Sequence, residues 1–234
     1  MSTSTPILYS FRRCPFAIRA RIAIYFSKIR VELREVSLRN KPKQMIKISK
    51  KSTVPVLKTN NFILDESLEI IIWALNINDE KGLLVPYKEN KDFVLRIINR
   101  FDNKFKYHLD RYKYSSRFLI DKSFKGKNAH RELACNYIRE LNNVLLKKKS
   151  LYIYKNKLSI VDLCIFPLIR QFKIADADWF EKRFKNSYIL SWFNNIVTKD
   201  YFLKIMYKYK EWSDSDRIYY FSYEDVNNNS IKMV

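Results

Sequence analysis

Glycine is almost missing from this chain, with two residues, Gly82 and Gly126, among 234, and proline appears only six times. That poverty excludes collagen-like and Pro/Gly-rich low-complexity readings. Cysteine is scarce as well. Cys14, Cys135 and Cys164 are too few and too scattered for a disulfide framework, and a reducing compartment is compatible with all three. Neither histidine, His108 or His130, lies near a cysteine pair at zinc-ligand spacing, and no metal is expected. No apolar run approaches the roughly 20 residues that span a bilayer. The N-terminus also lacks a charged segment leading into an apolar stretch with a small-residue cleavage site. The expected setting is therefore cytoplasmic, with no membrane role.

What is present supports a substantial core. Hydrophobic residues make up 47% of the chain and aromatics 15%, which excludes intrinsic disorder as a whole-chain description. The length suits one large or two small domains. Lysine and arginine exceed aspartate and glutamate by 45 to 24, a formal charge of +21. The excess is +7 over residues 1–80 and +14 over residues 81–234, so it scales with length. A dedicated nucleic-acid face concentrates its charge in one element, so no nucleic-acid partner is expected.

The periodicity changes partway along the chain. Ile7–Ser10 reads as a strand, Pro15–Ser27 as a helix opened by proline, and Val31–Val36 as a strand alternating apolar with charged residues. A polar, weakly helical connection over Lys41–Ser49 leads to strands at Val54–Leu57 and Phe62–Leu64, joined by an Asn60-Asn61 hairpin turn whose asparagines tolerate positive φ. A helix follows from Glu66 to about Leu75. This order predicts an α/β domain of thioredoxin-like topology with a mixed four-stranded sheet over residues 1–77. Residues 78–90, containing Gly82 and Pro86, read as a linker. Long helical patterns at Phe93–Tyr112, Ala129–Leu146, Ser159–Phe172 and Tyr188–Tyr207 predict an all-helical bundle over residues 91–212, and residues 213–234 form a C-terminal extension.

Chemistry concentrates at Cys14. It lies at a strand-to-helix junction directly before Pro15, where unpaired N–H groups and the helix dipole favour an anion. Arg12, Arg13, Arg19 and Arg21 are its neighbours in sequence, and any that approach the sulfur would favour the thiolate. Cys135 and Cys164 instead fall inside apolar helical patterns, where a thiol acts as a small inert hydrophobe. Position alone leaves Cys14 open between a reactive and a structural thiol.

The ordered set YSFRRCPFAIRARIAI, LRNKP, TVPVL and DES, followed by an all-helical half, resembles the cysteine-type glutathione transferases, most like the omega class. FKYHLDRYKY and MYKYKEW further resemble bacterial members of that superfamily. The resemblance implies glutathione as cosubstrate and Cys14 as the catalytic cysteine that forms a mixed disulfide with it. It also implies Phe16 as the aromatic beside the sulfur and Lys41 as a contact to the glycyl carboxylate. Val54 would pair its backbone with the cysteinyl part before a cis Pro55, and Glu66 and Ser67 would hold the γ-glutamyl group. On their own residues these remain open to plainer readings: a strand-edge proline, a helix start, a solvated lysine.

Tyr107, His108, Tyr112 and Tyr114 recur near helical spacing and are candidates for the acceptor-substrate site or for an aromatic core stripe. Ser159 and Asp162 form an S-x-x-D capping pattern that serves helix initiation. Trp179, Trp192 and Trp212 read as packing anchors. Ala17 in CPFA leaves no resolving cysteine, so the implied chemistry is monothiol, with glutathione as the resolving thiol. Lys28 stands where relatives carry glycine, and SKKST lacks their Pro and Gly.

The expected activity is a glutathione-dependent thiol transferase or reductase, of deglutathionylating or dehydroascorbate-reducing type, acting on a small electrophilic or disulfide acceptor as a homodimer. The alternatives are a non-catalytic scaffold of the same fold and a conventional conjugating transferase using Tyr9 or Ser10. A membrane-inserting form lacks a spanning segment.

Overall fold

The computed structural model describes residues 4–215 and 217–228. Residues up to Leu84, together with those from Lys199 onward, form one compact unit, and Val85–Thr198 form the other.

The first unit follows the expected thioredoxin-like order: β1 (Ile7–Ser10), α1 (Pro15–Ser27), β2 (Val31–Glu35), α2 (Lys43–Ile48), β3 (Val56–Lys58), β4 (Ile63–Leu64) and α3 (Ser67–Ile77). β1 runs parallel to β2 with Leu8 opposite Leu33, and antiparallel to β3 with Leu8 opposite Leu57. Alternation in β2 buries Val31, Leu33 and Glu35 and leaves Glu32 and Arg34 half-buried, so a carboxylate shares the inner parity of two aliphatic side chains.

The sheet has five strands, correcting the expected four. Tyr219–Phe221 of the extension form β5, antiparallel to β2, giving the order β4-β3-β1-β2-β5. The reason is an edge: β2 would otherwise present unpaired N–H and C=O groups, and Tyr-Tyr-Phe suits a strand. α11 (Asp200–Ile205) and α12 (Tyr223–Asn228) flank β5 in the chain and belong to the same unit. The pattern read as one helix over Tyr188–Tyr207 is thus divided, ending in the helical unit at Val197 and resuming in α11.

Asn60-Asn61 do form a two-residue turn, between Thr59 and Phe62, but neither residue has positive φ. The turn is held instead by the Thr59 hydroxyl, which accepts from the N–H groups of Asn61 at 3.2 Å and Phe62 at 3.0 Å. Left-handed backbone appears elsewhere and, with so little glycine, on other residues: Lys28, Ser52, Lys149, Lys155 and Asn186. Each carries a Cβ in a region that costs roughly 1–2 kcal/mol for an L-residue.

In the second unit, α4 (Val85–Glu89) lies within the segment read as linker. The pattern over Phe93–Tyr112 is a continuous helical run of three parts: α5 (Lys91–Arg100), a π-helical turn (Phe101–Phe105) and α6 (Lys106–Lys113). The widened turn has both of its phenylalanines, Phe101 and Phe105, in the core. α7 (Lys127–Lys148), α8 (Ile160–Ala175), α9 (Ala177–Arg183) and α10 (Tyr188–Val197) complete the bundle. α8 is apolar nearly all round, as befits its central place. Asp162 anchors its start: one carboxylate oxygen accepts from the Ser159 N–H at 3.0 Å and hydroxyl at 2.8 Å. The other accepts from the Ile153 N–H and the Trp192 indole, both at 2.9 Å. Among the described residues no helix is long and apolar enough to cross a membrane.

Two outcomes are expected. Lys149 ends α7 in a left-handed conformation with φ of 48°, its N–H bonding to Leu145 and Leu146 carbonyls. Lys149→Gly relieves the Cβ penalty, and urea unfolding should show a gain of about 1 kcal/mol. Burial pushes the Asp162 carboxyl up to about 6, against four hydrogen bonds that favour its charged form. A carboxyl raised by folding contributes stability that is full below its unfolded value and lost as pH rises through the folded one. Relative to Asp162→Asn, wild type should therefore lose up to about 3 kcal/mol between about pH 4 and 6.5 in paired denaturation curves.

Candidate active site

The loop after β1 sets the position of Cys14. Its N–H donates to the Phe11 carbonyl at 2.9 Å, its backbone is extended at φ −75° and ψ 124°, and its carbonyl accepts from Ile18 N–H at 3.0 Å. Cys14 is thus the N-cap of α1, and Pro15 follows at the position where a missing N–H costs nothing. The half-buried thiol lies 3.5 Å from the Val54 carbonyl, to which it donates. Val54-Pro55 is a cis peptide bond, and the Val54 N–H has no hydrogen-bond partner among the described residues. Tyr9, Val36, Met45, Val54 and Val56 form a buried apolar cluster against which Phe11 and Cys14 pack. The Phe16 ring carries the buried Arg19 guanidinium over its face, 4.8 Å from the centroid.

Of the arginines near Cys14 in sequence, Arg21 is engaged elsewhere. Fully buried, it forms an ion pair with Glu35 Oε2, donates from Nε to Ser10 Oγ at 2.8 Å and from an Nη to the Ile205 carbonyl at 3.2 Å. The second oxygen of Glu35 accepts the Arg12 N–H at 2.7 Å, and the Glu35 carbonyl accepts the Trp212 N–H at 2.8 Å. The Arg12 side chain reaches the Met206 carbonyl at 3.3 Å. One buried ion pair therefore holds the end of β1, the cysteine loop, α1, β2, the end of α11 and the start of the extension. Trp212 packs edge-on to Tyr9, and Arg34 stacks on Trp212 while donating to the Tyr9 hydroxyl at 2.9 Å. Burial, partly offset by Arg34, raises the Tyr9 phenol above its ordinary range.

This network escapes a motif search. Its one sequence signal is Glu35, a carboxylate on the buried parity of β2, which requires a buried cation.

The other implied ligand residues belong to the same unit. Glu66 is the N-cap of α3 and Ser67 its first residue, buried, with its hydroxyl free of hydrogen-bond partners among the described residues. Asp65 accepts from Ser49 Oγ at 2.9 Å, and Lys51 pairs with Glu66. Lys41 is half-buried just before α2 and has no ion-pair partner among the described residues.

The aromatic candidates in and just after α6 do not share one surface. Tyr112 belongs to the core, 5.0 Å from the Phe172 ring centroid, while Tyr114 is exposed beneath Arg117. Tyr107 bonds Ser123 at 2.8 Å and carries Arg111 3.5 Å over its ring. His108 Nδ1 lies 2.9 Å from Nδ1 of His130. The Lys125 N–H donates to His130 Nε2 at 3.2 Å, so His130 holds its proton on Nδ1 and gives it to His108. Burial and neighbouring cations pull both rings below the ordinary histidine range. His108 thus has an internal partner.

Cys135 and Cys164 are fully buried, and burial pushes the Cys135 thiol up to about 12. Truncating the central carboxylate, Glu35→Ala, strands the Arg21 charge and should cost about 3–5 kcal/mol in denaturant unfolding. It should also speed amide exchange at Arg12, whose N–H loses its acceptor.

Residues 8–82 match the family described as the glutathione S-transferase N-terminal domain. Glutathione S-transferase L2, chloroplastic, of Arabidopsis thaliana is 26% identical over 175 residues, covering 73% of this chain and 55% of that protein. The chain therefore spans just over half the length of that relative. Among solved structures, glutathione transferase Omega 3C from Trametes versicolor superposes with a TM-score of 0.70 at 18% identity, over 90% of this chain and 87% of that one. A Pseudomonas fluorescens glutathione transferase family member with two glutathione bound gives 0.71 at 16% identity, over 86% and 92%. The tau class transferase of mango, Mangifera indica, gives 0.69 at 15% identity, over 88% and 94%. These structural likenesses are of fold. The family match covers residues 8–82, and it is this first part of the chain that is similar in sequence to the glutathione S-transferase N-terminal domain.

Proposed function

We propose that the chain is a monothiol, cysteine-type glutathione transferase that acts as a thiol transferase or reductase through a mixed disulfide at Cys14. The observation that carries this reading is the placement of the Cys14 thiol: half-buried, at the N-cap of α1, and 3.5 Å from the backbone of Val54. A peptide thiol lying along Val54 as an added strand would bond its free N–H and its carbonyl, and would bring its own sulfur to Cys14. Glu66 and Ser67 at the start of α3 would take the γ-glutamyl ammonium and carboxylate, and Lys41 the glycyl carboxylate.

The reaction follows from having one cysteine at the site. The Cys14 thiolate attacks the glutathione sulfur of a glutathionylated disulfide, the old S–S bond breaks, and the substrate leaves as a thiolate that takes up a proton. A second glutathione, as thiolate, attacks the Cys14 mixed disulfide, forming oxidised glutathione and returning the cysteine. Cys135 and Cys164, sealed in the helical unit, take no part.

Conventional conjugation through Tyr9 or Ser10 is disfavoured by their surroundings. The Tyr9 hydroxyl accepts from Arg34 within a buried setting, and the Ser10 hydroxyl accepts from Arg21. Both hydroxyls are thus already engaged by arginines.

Intact-mass and peptide mapping after incubation with oxidised glutathione tests the reading. One glutathione adduct, on Cys14 and absent from Cys14→Ser, is expected, with Cys135 unmodified by alkylating reagent in the native state up to about pH 9. Absence of an adduct at Cys14 overturns it.

A further inference from the structure

The loop between α2 and β3 presents a lysine to the acidic residues that open α3. Lys51 Nζ forms an ion pair with Glu66 Oε1 and lies 3.4 Å from Asp65 Oδ1. The loop is shaped for this. Ser52 adopts φ of 50°, and its N–H and hydroxyl donate to the Ser49 carbonyl at 3.0 and 3.4 Å. Asp65 is held in turn by the Ser49 hydroxyl at 2.9 Å, so the same serine ties the lysine loop to the start of α3.

In the function proposed above, the Glu66 carboxylate takes the ammonium of the γ-glutamyl group. Lys51 brings the same chemical group, a primary ammonium, to the same carboxylate. We propose that Lys51 is an internal competitor for this ammonium subsite: it occupies Glu66 in the free protein and is displaced when a γ-glutamyl amine binds. The inference rests on the glutathione reading and adds a specificity-determining residue to it.

The side chain suits the role. It is half-exposed on a flexible four-carbon stem, so it can swing into solvent, and its ion pair with Glu66 is of the weak, solvent-screened kind. Competition of this size lowers affinity without blocking the site. It also blunts selection for the amine, because a ligand lacking that group leaves the Lys51 pair undisturbed.

The test compares wild type with Lys51→Gln by calorimetric titration with two ligands. One is S-methylglutathione, whose blocked sulfur removes thiol chemistry. The other is its analogue with a glutaryl group in place of γ-glutamyl, which lacks only the amine. Lys51→Gln should bind S-methylglutathione about 2- to 5-fold tighter, with no gain for the amine-free analogue. Equal gains for both ligands, no gain, or weaker binding of S-methylglutathione overturns the inference. Weaker binding would assign Lys51 to a ligand carboxylate instead. Failure of both proteins to bind S-methylglutathione, with Cys14 also unmodified by oxidised glutathione, overturns the glutathione reading and this inference with it. Binding by wild type with an adduct at Cys14 leaves that reading standing whichever way the Lys51 comparison falls.

Discussion

The buried pair of Arg21 and Glu35 is the contact on which the geometry around Cys14 depends. Two charges removed from water are costly unless every donor and acceptor is matched, and here they are matched by the surrounding chain. Glu35 divides its carboxylate between the guanidinium and the Arg12 N–H, and Arg21 adds Ser10 and the Ile205 carbonyl. An apolar pair of the same volume could fill the space. It could not place the backbone of Arg12, two residues before the cysteine, because only hydrogen bonds have that directionality.

The extension is part of this arrangement. Trp212 bonds the Glu35 carbonyl, and its ring meets Tyr9 and Arg34. Seven residues later β5 pairs with β2, the strand that carries Glu35. Asp214 accepts from Gln44 on α2, and Asp225 from Arg30 ahead of β2. Segments from both ends of the chain therefore hold one sheet, and the edge that β2 would otherwise expose is covered within the same molecule.

Near-absence of glycine leaves its own mark. Turns and helix ends that need left-handed backbone are built with lysine, serine and asparagine, each bearing a Cβ where glycine has none. At Ser52 this backbone belongs to the loop that brings Lys51 to Glu66, so the composition bears on the candidate site as well as on stability.

Much was legible in the residues themselves. Alternation in Val31–Glu35, proline at the start of α1, the Ser159–Asp162 capping pattern and the long helical periods are local signals. They produced the thioredoxin-like order, the helical bundle and the position of Cys14 at a helix start, because hydrophobic period and capping act over a few residues. The fifth strand, the partner of Glu35, the assignment of α11 to the first unit and the burial of Tyr112 were not legible. Each depends on residues far apart in the chain: 14 positions separate Arg21 from Glu35, and 194 separate Arg12 from Met206. By itself the sequence determined which segments are helix or strand and which cysteine stands at a helix N-terminus. Tertiary structure alone decided which charges are buried together and what the thiol touches, since burial and hydrogen-bond partners exist only once distant segments meet.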